Sequence, residues 1–121
     1  MPSLFEVTAG KSIGPVTGGT VTQSTNKSTT VTLNTESGQI TMAGAALADG
    51  AEVTFRVTND RVAATDVPHV VHGSAGTAGA YRVEVTAVAD GYFKVTVGNV
   101  SGGSLSQAIV LNFILFKGAS S

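Results

Sequence analysis

The sequence predicts an all-β chain folded as a sandwich of about eight short strands. Three observations predict it. Apolar and polar residues alternate with a period of two through Glu52–Thr58, Ala80–Val88 and Tyr92–Gly98. Turn residues separate these runs, above all the Asp49-Gly50 and Asp90-Gly91 pairs. No stretch holds a helical spacing of apolar residues over the length of a normal helix. At 121 residues the chain suits one domain with a modest core.

Residues 1–19 read as an extended N-terminal arm. Gly10, Gly14, Pro15, Gly18 and Gly19 interrupt it, and Leu4, Phe5, Val7, Ile13 and Val16 are scattered apolar points without a helical period. The sandwich domain then spans residues 20–121. Thr20–Ser24 and Thr29–Leu33 alternate, with Thr25-Asn26-Lys27-Ser28 as the turn between them, and Gly38–Met42 is a further short strand. Ala43–Ala48 has the composition for one helical turn, which Asp49-Gly50 ends.

In the next strand Val53, Phe55 and Val57 point inward, and Glu52, Thr54, Arg56 and Thr58 outward. Val67–His72 follows, and Pro68 near its start marks an edge strand, because proline cannot donate to a central ladder. Gly73–Gly79 reads as a mobile surface loop. Tyr81, Val83, Val85 and Ala87 then share the core face, with Arg82, Glu84 and Thr86 outside; beyond the Asp90-Gly91 hairpin, Phe93, Val95 and Val97 point in. Ala48-Asp49-Gly50 and Ala89-Asp90-Gly91 each open a strand that ends at an asparagine, Asn59 or Asn99, a faint internal echo. The short, evenly spaced strands predict an antiparallel sandwich of jelly-roll or immunoglobulin-like type.

The last strand, Ala108–Phe116, is apolar on both faces. Ile109, Leu111, Phe113 and Leu115 share one side; Val110, Ile114 and Phe116 share the other, with Asn112 among them. A sandwich strand normally wets its outer side. The second face therefore needs a cover; another copy of the chain is the expected one, and the N-terminal arm is the alternative. Val110, Asn112, Ile114 and Phe116 are the expected oligomer interface, with Asn112 placed to fix register between copies, as buried asparagines do in coiled coils.

Composition narrows the chemistry. Charged residues make up 12% of the chain, about half the usual share, and seven Lys+Arg stand against eight Asp+Glu. Nothing here draws nucleic acid. With no cysteine there is neither a disulfide framework nor a thiolate metal site. Met1–Glu6 lacks a basic segment followed by an apolar run, so no signal peptide is expected, and no apolar stretch is long enough to span a bilayer.

The candidate motifs fail on their own terms. Ala9-Gly10-Lys11-Ser12 resembles the end of a phosphate-binding loop, but Phe5 stands where that loop needs its first glycine. His69 and His72 are three apart, which sends them to opposite faces of a strand. Asp66, His69 and Ser74 carry the letters of a nucleophilic triad without the turn that presents a nucleophile. Glu36, Glu52, Asp60, Glu84 and Asp90 are spread singly, not paired for glycoside cleavage. The sequons at Asn26 and Asn99 read as turns. No enzyme activity and no cofactor are expected.

Several segments carry more than generic strand character. Gly38-Gln39-Ile40-Thr41-Met42 leads into Ala45-Ala46-Leu47-Ala48. Val57-Thr58-Asn59 and Ala63-Ala64-Thr65-Asp66-Val67 come later, then Ala78-Gly79-Ala80-Tyr81, Val85-Thr86-Ala87-Val88-Ala89 and Asn99-Val100-Ser101. Gly103-Ser104-Leu105-Ser106 and Val110-Leu111-Asn112-Phe113 complete the series. In this order they resemble a family of small tailed-bacteriophage virion proteins, whose module also occurs at the ends of tail-fibre and tailspike-like chains. The resemblance covers about residues 19–118.

It implies a structural protein of the virion: a head decoration, or cement, protein that sits as a trimeric knob on the outer surface of the phage head after synthesis in the host cytoplasm. The major capsid protein is then its partner, with Leu4, Phe5, Val7 and Ile13 of the arm as the docking points. The alternative is a tail-fibre or tailspike tip that binds a host surface receptor through the loops Asp60–Thr65 and Gly73–Gly79.

Overall fold

Alternation in the sequence becomes two four-stranded sheets packed face to face. The computed structural model of the chain describes residues 18–118, with eight strands and no helix among them. The strands are β1 (Thr20–Thr22), β2 (Val31–Thr32), β3 (Ser37–Thr41), β4 (Glu52–Thr58), β5 (Val67–Ser74), β6 (Tyr81–Ala89), β7 (Tyr92–Asn99) and β8 (Val110–Phe116). Leu4, Phe5, Val7 and Ile13, the expected docking points of the arm, lie outside the described residues.

One sheet has the order β1-β3-β8-β5 and the other β2-β4-β7-β6. The longer strands pair antiparallel, as a sandwich of this kind should. The two short edge strands differ: β1 joins β3, and β2 joins β4, in parallel. A parallel partner cannot be reached through a tight hairpin. The chain meets that constraint by changing sheet at every step from β1 to β6. Only β6 and β7 form a hairpin, with Ala89 paired to Tyr92 across Asp90-Gly91 and Gly91 at φ 88°. Asp49-Gly50 is a tight turn of a different use, closed by Ala51 N–H on the Ala48 carbonyl at 3.0 Å, and it feeds the chain from one sheet into the other. Pro68 lies on an edge strand, as its missing N–H requires.

The core fills the space between the sheets. Phe55, Val57, Phe93, Val95 and Val97 meet Ile40, Ile109, Leu111, Phe113 and Leu115, all buried. Phe93 and Phe113 come from opposite sheets, with ring centroids 5.7 Å apart at 59°. Val53, Val83 and Val85, expected to be fully buried, are half-buried and pack against the rim of this cluster. For Val83 and Val85 the reason is topological, since β6 is an edge strand with no neighbour on one side.

Two local expectations are corrected. A bulge between Val85 and Ala87 reverses the alternation in β6, so Ala87 stands opposite Lys94 on the outer side and Val88 opposite Phe93 on the inner side. Ala43–Ala48 makes no helical turn; it runs extended, and Leu47 forms a bridge with Leu105.

The internal echo has a structural counterpart. Asn59 ends β4 and Asn99 ends β7, at opposite ends of an antiparallel pair, and both are wholly buried. Asn59 donates to the Thr35 carbonyl at 2.7 Å and accepts from Arg61 N–H. Asn99 donates to the carbonyls of Leu47 (2.7 Å) and Gly103 (2.8 Å) and accepts from Ser101 N–H. The aspartate of each Asp-Gly turn then accepts a backbone N–H from the loop beyond the opposite asparagine: Asp49 from Gly102, and Asp90 from Ala64. Antiparallel neighbours are related by a two-fold axis, so the same clasp appears at each end. Lys27 adds a further tie. It is buried, and its ammonium donates to the Gln107 carbonyl at 2.6 Å and to the Ala43 carbonyl, while burial pushes its pKa down.

Truncating Phe93 removes the partner of Phe113 from a site with no exposure. Phe93→Ala is expected to destabilise the fold by about 3–5 kcal/mol in chemical denaturation. A loss below about 1 kcal/mol would mean that Phe93 is not a central packing residue.

Candidate interaction face

The outer sides of the two sheets have opposite characters. On the β2-β4-β7-β6 sheet, Glu52 and Arg56 of β4, Lys94 of β7, and Arg82 and Glu84 of β6 point to solvent. Thr54 and Thr86 both bond the Thr96 hydroxyl, at 2.8 and 3.0 Å, and the Arg56 guanidinium lies 3.8 Å from the centre of the Tyr92 ring. This is an ordinary wet face.

The β1-β3-β8-β5 sheet lacks that dressing. β8 and the residue before it send Ile109, Leu111, Phe113 and Leu115 into the core and leave Val110, Asn112, Ile114 and Phe116 outside. Its partner β5 lays a second row beside them. Phe116 stands opposite Val67, Ile114 opposite His69, Asn112 opposite Val71, and Val110 opposite Ser74. Among the described residues, four large apolar side chains remain exposed, and three of them lie on this stripe: Val67 at 60%, Val71 at 42% and Phe116 at 41%. Toward β3 and β1 the face continues with Ser37, Gln39, Thr41, Thr20 and Thr22. No acid, lysine or arginine points outward from these four strands.

The structure thus brings together Val110, Asn112, Ile114 and Phe116, the residues read from the sequence as an interface. It adds Val67, His69 and Val71, which sequence reasoning missed. Their alternation in β5 was legible, but not the pairing of β5 with β8. Asn112 is exposed and lies over Gly73, where a Cβ would collide with its carboxamide. The bulge between His72 and Ser74 carries that glycine past β8.

The two loops proposed for receptor contact do not meet. Asp60–Thr65 precedes β5, whereas Gly73–Gly79 starts in its last two residues and runs on beyond them, so most of the strand, roughly 20 Å, separates the two. Hydrogen bonds tie the Gly73–Gly79 loop to its neighbours. His72 Nε2 donates to the carbonyls of Ala75 (2.6 Å) and Ser74 (3.0 Å), and its ring meets Tyr81 edge-on at 5.5 Å. Gln107 accepts from Tyr81 Oη and Thr77 N–H and donates to the Thr77 hydroxyl. The cup beside this loop holds about 260 Å³.

His69 and His72 fall on opposite faces of β5, as their spacing requires. Asp66 joins neither. Its buried carboxylate pairs with Lys117 at 2.5 Å and accepts from the N–H groups of Ala63 and Gly118. Burial alone would raise the Asp66 pKa; the Lys117 hydrogen bond and charge and the two amides more than offset it and hold the carboxyl below its ordinary value. This ion pair closes the end of the face where β8 leaves and β5 enters. Gly118 passes so close to the Thr65 carbonyl there that a Cβ has no room. Residue 18 enters at the same end, against Ser37. No group of three or more potential metal ligands forms among the described residues. Comparison of the chain with protein-family models, with curated proteins and with solved structures found no match.

The lowered Asp66 pKa gives a signed prediction. Its stabilisation is present above the ordinary carboxyl value of 3.8 and is lost as pH falls through the lower folded value. Thermal unfolding is expected to show an acid-sensitive contribution below about pH 4 that Asp66→Ala abolishes, with a loss of about 1–3 kcal/mol at neutral pH. An Asp66→Ala protein as stable as its parent at pH 7 would contradict this.

Proposed function

We propose that this chain is a non-enzymatic structural protein of a tailed-phage virion, a decoration or cement protein that binds the outside of the head shell and assembles as a homotrimer. The dry outer face of β8 and β5 carries the reading. A sandwich that serves as an independent soluble module has no use for Val67, Val71 and Phe116 side by side in water. Side chains of this kind gain about 1.5–3 kcal/mol each when taken wholly out of water, less where they are already part-covered. Several per subunit contact offset the entropic cost of association.

The polarity of the fold suits such a role. Residue 18 and residue 118 both lie at the Asp66–Lys117 end of the sandwich. The proposed docking residues Leu4, Phe5, Val7 and Ile13 precede residue 18 in the chain, so the shell contact is assigned to that end. Cementing needs no cofactor, because binding the assembled shell in preference to its parts stabilises it by mass action. The separation of Asp60–Thr65 from Gly73–Gly79 disfavours the fibre-tip alternative in the form that joins both loops in one receptor site.

The decisive measurement for self-association is light scattering at micromolar concentration. The parent is expected to be a trimer and Phe116→Asp a folded monomer. A monomeric parent sinks the reading, and a trimer that survives Phe116→Asp moves the contact to another surface. For docking, a chain lacking residues 2–15 is expected to fold and trimerise but to lose binding to empty capsids. Unchanged capsid affinity would remove the arm from the reading, and protein located on the tail of an imaged virion would favour the fibre-tip alternative.

A further inference from the structure

We infer that assembly through the β8/β5 face is gated by protonation of His69. The inference rests on reading that face as the contact between copies, and it adds a condition under which the contact opens. Outward positions on the four strands are apolar, hydroxyl or amide, with one exception. An uncharged face brings no like charges together when copies of the chain gather on it, as they do around a three-fold axis. This favours a second copy over a charged partner as its occupant. His69 is the exception, the one ionisable side chain that points outward from this sheet among the described residues.

The surroundings of His69 offer a charge nothing to pair with. It is exposed and stands opposite Ile114, between Val67 and Val71 on its own strand and diagonal to Asn112 and Phe116 on β8. The charged groups nearest along the two strands are Asp66 and Lys117 at one end, already paired with each other. Beyond them Arg61 is engaged with Glu36 and Asp60. His72 lies on the other side of β5 with its Nε2 on two carbonyls. Because the Asp66 carboxyl is held below its ordinary value, it stays a carboxylate through the range in which histidines titrate.

Covering a charged imidazolium on this face costs free energy that no opposite charge on its four strands restores. The separated subunit therefore binds more protons than the assembled one, and association weakens as pH falls. The limit is about tenfold in the association constant per pH unit for each covered ring, or about a thousandfold for three copies.

Light scattering of the full chain at micromolar concentration, at about pH 8 and about pH 5.5, tests this, with circular dichroism to follow folding. The parent is expected to be oligomeric at the higher pH and dissociated but folded at the lower. His69→Gln, neutral throughout, should remain oligomeric at both, with His69→Asn as the second neutral variant should that one misfold. His72→Gln should respond as the parent does. A parent oligomeric at both pH values overturns the gate and leaves the proposed function standing. A parent monomeric at pH 8 overturns both. Dissociation that persists in the neutral His69 variants, that disappears in His72→Gln, or that comes with loss of the strand signal also overturns the gate.

Discussion

A two-layer sandwich has one dry interior, and β8 is largely apolar on both faces. This mismatch is the constraint on which the rest of the molecule turns. β8 is a central strand, flanked by β3 and β5, so neither edge placement nor a bulge can turn its second face away. Its inner side supplies Leu111, Phe113 and Leu115 to the core, and Phe113 meets Phe93 of the opposite sheet. Its outer side then has to be apolar in water, or covered. On the neighbouring β5, Val67 and Val71 extend the apolar stripe, and His69 between them interrupts it. Among the described residues, every acid, lysine and arginine that lies on a strand belongs to the other sheet, where Glu52, Arg56, Arg82, Glu84 and Lys94 share the outer face.

Polar groups inside this fold hold its ends together. Asn59 and Asn99 close the two ends of the β4–β7 pair, each tying a loop carbonyl on one side and a turn amide on the other. Asp66 and Lys27 play similar parts, one binding the chain after β8 to the loop before β5, the other tying its own loop to the backbone carbonyls of Ala43 and Gln107. Every buried side-chain nitrogen and oxygen among the described residues has a partner, so these groups join loops without leaving an unpaired dipole behind. With both ends of the sandwich fastened, the open outer face of β8 and β5 is presented on a stiff support, which suits recognition by shape.

What could be read in advance followed from local periodicity. Val57, Phe93 and Phe113 were legible as core because alternation assigns a face to every residue of a strand. Pro68 marked an edge because it lacks an N–H. The Asp90-Gly91 hairpin was legible because a two-residue turn needs a residue that tolerates positive φ. Where a bulge inserts a residue, as between Val85 and Ala87, periodicity misled: Ala87 was assigned the core position that Val88 holds. The helical turn expected at Ala43–Ala48 failed for a related reason. Propensity favoured it, but the carbonyl of Ala43 serves Lys27 and the backbone of Leu47 pairs with Leu105, and these tertiary bonds prevail.

By itself the sequence determined that this chain is a β-sandwich, and that its last strand carries one apolar face more than a sandwich can bury. Both follow from side chains a few residues apart. Tertiary structure alone decided which strand lies beside β8, and so which residues complete the exposed face. The pairing of Phe116 with Val67 and of Ile114 with His69 joins positions more than forty residues apart in the chain. It depends on a path that changes sheet at every step from β1 to β6. Nothing in either strand names its neighbour, because any alternating strand can form the same backbone hydrogen bonds. Only the packing of all eight strands around one core selects the partner.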